Sequence, residues 1–253
     1  MAAVSAELLE TIIELQCLSS LKNAVLGGGT NLAIRYDHRE SIDIDLFFSG
    51  IIGKSGYKNI ENEIQPYFKG NATRLDYPCD ESDQYMFMRF WVKKHELKIK
   101  VEIIQNANFL DEPQLVGGAK LASIRDMGLL KLMTASNRAS FKDIYDLDYL
   151  TEIVPLSTLM ADLQYKQETF KGEEYRTIFD LDDEASPVGD PLRLLLFEAK
   201  AAERKNRPNH SDHRILPQPD KKNWLVAQSS YRKKVRRLCN ELGIDFPGVS
   251  QIA

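Results

Sequence analysis

Two carboxylates and a glycine turn are the residues of this chain best suited to do chemistry together. Asp43 and Asp45 lie in Ile42-Asp43-Ile44-Asp45-Leu46, a strict alternation that predicts a β-strand with both acids on one face and the aliphatics on the other. Strand rise sets such residues about 6 to 7 Å apart along the backbone. Their side chains can converge on one divalent cation, which relieves their mutual repulsion and favours the ionised forms. Upstream, the apolar run Ala24-Val25-Leu26 breaks at Gly27-Gly28-Gly29-Thr30. Glycines there let a backbone or a phosphate come close, and a glycine turn that enters a helix offers N–H groups and a positive dipole end to phosphate. Turn and acid pair together suit Mg²⁺ held on that same phosphate. An exposed edge-strand face would give an Asp-x-Asp pattern as well.

Several elements must position these groups. Thr30 is placed as the N-cap of a helix carrying Leu32, Ala33 and Ile34, and Ser5 as the N-cap of a helix over residues 5–19. A helix is expected from Tyr57 to Phe68, ending near Gly70. Strands follow at Thr73 to Tyr77, Tyr85 to Lys93 and Leu97 to Ile104, the last two joined by a hairpin at His95-Glu96. From Leu121 the period turns helical, and Ser140-Phe141-Lys142-Asp143 reads as a capping-box variant that starts a new helix. Further helices are expected at Leu156 to Phe170, Leu192 to Arg204 and Trp224 to Leu242, with irregular chain at Phe179 to Asp190 and Asn206 to Asp220.

These motifs carry a family resemblance. Gly28-Gly29-Thr30, a helix and then Arg39-x-Ser41-x-Asp43-x-Asp45-Leu46 resemble the signature of polymerase-beta-type nucleotidyltransferases. In particular they are similar to the AbiEii/AbiGii toxins of bacterial toxin–antitoxin and phage-defence modules. A second block, Asp126, Lys131, Arg138 and Lys142-Asp143-x-x-Asp146-Leu147, looks like the helical block of those toxins.

The resemblance implies a mixed α/β (α+β) fold, with a nucleotidyltransferase-type mixed sheet flanked by helices. Residues 1–120 would form the catalytic core, and a mainly helical region over 121–253 would contribute to the nucleotide site. Asp43 and Asp45 would hold Mg²⁺, two ions being possible, on the triphosphate of an NTP, while Gly28, Gly29 and Thr30 cradle its phosphates. Glu102, alternating with Val101 and Ile103, is the candidate third metal carboxylate, where many relatives carry Asp. Lys131 would contact phosphate with Asp146 as its acidic partner, and Arg138, Lys142 and Asp143 would line the nucleotide. Lys131, Arg138 and Lys142 share one face if their helix is continuous, which a cap at Ser140 argues against. Arg39 and Ser41 would steady the acid pair or touch phosphate.

The implied activity is Mg²⁺-dependent transfer of a nucleoside monophosphate from an NTP, with release of pyrophosphate. A tRNA 3′ end is the acceptor the resemblance suggests, and a cognate antitoxin the partner. Transfer to a protein or small molecule, and a catalytically silent binding protein of the same fold, stay open.

A net charge of −4 supplies no global reason to bind nucleic acid. A local one exists in Tyr231-Arg232-Lys233-Lys234-Val235-Arg236-Arg237, with Trp224 nearby and no acid between Lys221 and Arg237. Such a patch suits an RNA backbone, an antitoxin contact or a solvated helix face. The three cysteines show no CxxC spacing and fit a reducing cytoplasm. No signal-peptide layout or membrane-length apolar stretch is present, so a soluble cytoplasmic protein is expected. The four histidines have no metal-ligand spacing. Leu32 stands where a dinucleotide fingerprint needs glycine, and a P-loop Gly-Lys-Ser/Thr is missing.

Overall fold

A computed structural model describes residues 2–79, 82–180, 184–198 and 214–248. Chain contacts divide it into two units, one of residues 1–123 with 172–181 and the other of 124–171 with 182–253.

The first unit opens with α1 (Ala6–Cys17), which Ser5 caps by accepting from the Leu8 amide at 3.2 Å. Then come β1 (Val25–Leu26), α2 (Gly28–Tyr36), β2 (Ile44–Phe47), α3 (Gly53–Tyr67), β3 (Ala72–Cys79), β4 (Phe87–Lys94), β5 (Leu97–Ile104), β6 (Gln114–Val116) and β7 (Ala119–Leu121). The strands form one mixed sheet in the order β3-β4-β5-β2-β1-β7-β6, with β2 parallel to β5 and β1 parallel to β7. Alternation makes one sheet face apolar. Ile44 and Leu46, Met88, Phe90 and Val92, and Ile99, Val101 and Ile103 are all buried there in one cluster with Leu8, Ile12 and Leu15 of α1 and Tyr57, Ile60 and Ile64 of α3. The opposite face carries Asp45, Arg89, Trp91, Lys100 and Glu102. Part of that face, around Phe87, is covered by the returning segment 172–180, whose Ile178 packs with Phe87 and Cys79. Gln84 and Asn106 pin this segment by donating to the Arg176 carbonyl at 2.7 and 2.8 Å.

The second unit is helical: α4 (Ile124–Ala135), α5 (Phe141–Leu150), α6 (Leu156–Thr169), a 3₁₀ segment at Pro191–Glu198 and α7 (Trp224–Leu242). Its core holds Leu132, Ile144, Leu147, Leu159, Leu194, Tyr231 and Val235. No helix among the described residues is long and apolar enough to cross a membrane.

Several expectations shift. Thr30 caps nothing: α2 begins two residues earlier with Gly27 at its N-cap, because the positive φ of Gly28 (63°) starts the turn. Strand β2 begins at Ile44 rather than Ile42, and Ile42 is exposed because no strand pairs with it. The hairpin of β6 and β7 interrupts a stretch too short and polar to show period two. Ser140 does precede α5, but neither it nor Asp143 closes a capping box, since Asp143 turns to Lys131 instead. Leu192 to Glu198 is 3₁₀ rather than α-helix, and residues 199–204 and 206–213 lie outside the described residues.

Candidate active site

The acid pair is positioned from below by α2. Thr30, in the first turn, is buried; its hydroxyl donates to the Asp43 carbonyl and lies 2.8 Å from the Ser41 hydroxyl. Ser41 in turn donates its amide to Ala3 at 3.0 Å. Thr30 and Ser41 therefore anchor the loop that delivers Asp43. Gly28 is required on two grounds: its φ is +63°, and a methyl group there would collide with the Asp45 carboxylate. Asp45 thus lies directly on the backbone at the start of α2, where first-turn N–H groups have no carbonyl within the helix. At Gly29 an added carbon would meet the tip of Arg39, a buried guanidinium that also donates to the Glu40 carbonyl at 3.0 Å.

Parallel pairing sets Asp45 beside Glu102 on adjacent strands, about 4.8 Å apart and on one face. Asp43 lies just before the strand with its side chain half exposed (48 %), whereas Glu102 is 10 % exposed. Both oxygens of Glu102 are engaged. Arg89, its register partner on β4, donates Nε at 2.8 Å and Nη2 at 2.5 Å, and Lys100 donates at 3.2 Å. Lys100 also stands 3.6 Å from Asp43. Burial alone would raise the Glu102 carboxyl, but Lys100 and Arg89 outweigh it and hold the group below its ordinary range. Burial likewise opposes the Lys100 charge, and Glu102, Asp45 and Asp43 together overcome it and raise the ammonium.

Arg89 and Lys100 were not among the residues singled out from the sequence. The signal for Lys100 was present: in Lys98-Ile99-Lys100-Val101-Glu102 a period of two puts it on the face of Glu102. Arg89 could be assigned only through the pairing of β4 with β5.

The donor set bears on a metal. Among the described residues no group of three or more His, Cys, Asp or Glu side chains stands close enough to hold an ion by itself. Mg²⁺ needs fewer, since it takes one or two carboxylates and completes its shell with water and substrate phosphate. Asp43 and Asp45 fit that pattern, next to a helix start that accepts phosphate.

In the helical unit, the second block forms its own cluster. Lys131 lies 2.7 Å from Asp143 and 2.8 Å from Asp146, and all three are buried. Burial pushes the Asp143 carboxyl up, but Lys131 and then Arg138 hold it low. Two buried atoms of this cluster, Asp143 Oδ2 and Arg138 Nε, have no hydrogen-bond partner among the described residues. Lys131, Arg138 and Lys142 do not form one helical stripe, because α4 ends at Ala135 and Arg138 sits in the turn before α5. Lys142, half-buried, is the second residue of α5, and Asp126 is fully buried in α4.

The basic C-terminal run lies on α7, where one of its aromatic neighbours is buried and the other, half-buried, is stacked on a second ring. Tyr231 is fully buried and Trp224 stacks on Phe141 at 4.6 Å. Lys234 is held by Asp148 at 2.8 Å, and Arg232 and Arg236 lie over Phe246.

Comparison with known proteins adds identity of family to this geometry. Residues 14–232 match the family described as nucleotidyl transferase AbiEii toxin, type IV TA system. Among solved structures, the chain is similar in fold to MenT4, a nucleotidyltransferase toxin from Mycobacterium tuberculosis H37Rv. The TM-score is 0.55 at 15 % identity, covering 92 % of this chain and 83 % of that one. No curated protein matches the chain significantly.

Proposed function

The chain belongs to the AbiEii nucleotidyltransferase toxin family of type IV toxin–antitoxin systems, and from that premise we propose that it transfers a nucleoside monophosphate from an NTP to an RNA end. The tRNA 3′ end is the acceptor of choice, a cognate antitoxin the partner, and growth arrest in phage defence the outcome. The observation that carries the reading is the Asp45 carboxylate lying on the Gly28 backbone with Asp43 beside it. A triphosphate seated on the first-turn amides of α2 meets the acid pair at once.

Asp43 and Asp45 would hold Mg²⁺, which when bound supplies charge neutralisation at the transferred phosphoryl group. The chain's own residues do the rest by positioning. Thr30 and Ser41 fix the Asp43 loop. Glu102, clamped by Arg89, keeps the Lys100 ammonium beside the acids, where it counters triphosphate charge. The acceptor hydroxyl gives up its proton to solvent as it attacks the α-phosphorus, the bond to the oxygen bridging the α- and β-phosphates breaks, and pyrophosphate leaves.

The test is incubation with each labelled NTP, Mg²⁺ and total RNA, beside the Asp43→Ala variant. Label in RNA that disappears in the variant supports the reading. Label on protein moves the acceptor to a polypeptide, and no NTP binding by calorimetry overturns the transferase reading.

A further inference from the structure

The sheet face that carries the acids does not end with them. Across β4, the register partner of Lys100 is Trp91, on the same face as Arg89 and Glu102. The indole is half-buried in the sheet surface and bracketed by two cations: Lys98 Nζ lies 5.5 Å from its ring centre and the Arg74 guanidinium 6.0 Å. Two features of this patch are costly for the fold alone. Lys93 and Lys98 are paired directly across the strands, a like-charge pair, and both are exposed. Arg74 has φ +54°, at a register shift in edge strand β3. There the irregular backbone brings its guanidinium over Trp91 although simple alternation would send it to the other face. A non-glycine residue held at positive φ next to a bulge is strain of the kind that functional surfaces keep. Arg74, Lys93 and Lys98 form no ion pair with any described residue.

An aromatic plate with two cations over it and a third, Lys93, two residues further along the same face of β4, none of them ion-paired among the described residues, matches single-stranded nucleic acid in charge and in its stacking surface. Bases stack on the aromatic ring, the phosphates follow the cations, and no particular sequence is required. We infer that this face, centred on Trp91, seats the single-stranded end of the RNA acceptor, with one base on the indole and the flanking phosphates on Arg74, Lys93 and Lys98. The inference rests on the proposed RNA acceptor and adds where that acceptor lies. From β4 across β5 to β2 is two strand spacings, about 10 Å. A base held on Trp91 therefore leaves the strand end within reach of Asp45, past Lys100. The α7 surface is the competing site; there Tyr231 is buried and Trp224 is stacked on Phe141, whereas Trp91 has only cations over its ring, which a base and its phosphates can displace.

Trp91 and Trp224 are the only tryptophans, so Trp224→Phe leaves Trp91 as the sole reporter. That protein is titrated with a single-stranded oligoribonucleotide of about ten residues, followed by indole fluorescence. Saturable quenching is expected. Affinity, read for every variant by the anisotropy of the same oligoribonucleotide carrying a fluorescein label, should fall about ten- to a hundredfold in Trp91→Ala and several-fold in Lys98→Glu, an exposed substitution that leaves the core intact. Arg237→Glu on α7 should leave affinity unchanged, and so should the calorimetric affinity for Mg²⁺–NTP in Trp91→Ala. RNA binding that ignores Trp91 and Lys98 but falls in Arg237→Glu overturns the placement while leaving the acceptor class standing. Loss of quenching to poly-glutamate at equal charge would reassign the face to an acidic protein. No RNA binding by the wild type, with label transferred to protein instead, overturns both this inference and the RNA acceptor beneath it.

Discussion

A lysine stands among carboxylates in each unit of the molecule, and the two clusters solve the same electrostatic problem in opposite ways. In the sheet unit, Lys100 sits between Glu102 and Asp43 at 3.2 and 3.6 Å, and Asp43 is half open to solvent. In the helical unit, Lys131 is closed in by Asp143 and Asp146 at 2.7 and 2.8 Å, with Asp146 fully buried. The open cluster is loosely held on one side and can exchange its ammonium contact for a ligand. The closed one has shorter contacts and is nearly shut off from solvent, so removing one member strands a largely buried charge. Exposure, more than composition, thus separates the two clusters: one stands open to solvent and the other is closed in by its own partners.

The largest expected effect breaks the closed cluster. Lys131→Met leaves two buried carboxylates without their counter-ion, a loss of about 3–5 kcal/mol. Lys100→Met should change stability far less, since Glu102 keeps Arg89 and Asp43 keeps water. Urea unfolding of both variants, followed by circular dichroism, makes the comparison, and equal losses would erase it. Next comes chemistry. Asp45→Asn should lower kcat by at least about a hundredfold while the unfolding midpoint stays within error. A matching fall in stability would mean that Asp45 is structural. Smaller again is Gly28→Ala, which places a side chain at φ +63° and pushes the Asp45 carboxylate aside. The strain costs about 1–3 kcal/mol, and calorimetry should show weaker Mg²⁺–NTP binding. Gly29→Ala meets the guanidinium of Arg39 instead of the acid, at an ordinary φ, and should weaken binding less than Gly28→Ala.

What the sequence made legible follows the same division. Alternation at Ile44-Asp45-Leu46 and Ile99 to Ile103 is a local property, so β2, β5 and the face of Glu102 were readable. So were α1 with its Ser5 cap and the start of α5. Thr30 misled because a threonine after three glycines looks like an N-cap, while the backbone turn had already begun at Gly28. Arg89 and the segment 172–180 depend on pairing between distant parts of the chain, which no local period encodes. The α7 run misled in another way. Charge was read correctly from the sequence, but helical phase sends Tyr231 inward, and Trp224 is taken up by Phe141.

The smallest effect concerns acid, and it sharpens the description of the closed cluster. Asp143 is held below the ordinary carboxylate range because Lys131 and Arg138 outweigh its burial. A depressed carboxyl contributes stability above its unfolded value, near pH 4, and loses it as pH falls through the folded value. Wild-type stability should therefore decline on acidification below about pH 4. Asp143→Asn should start lower at neutral pH, because Lys131 keeps only Asp146, and should lose less between pH 5 and pH 3, having no proton to take up there. Urea midpoints of the two proteins across that range provide the measurement. Parallel curves would show that Asp143 carries no acid linkage, and the closed cluster would then owe its stability to packing instead of charge.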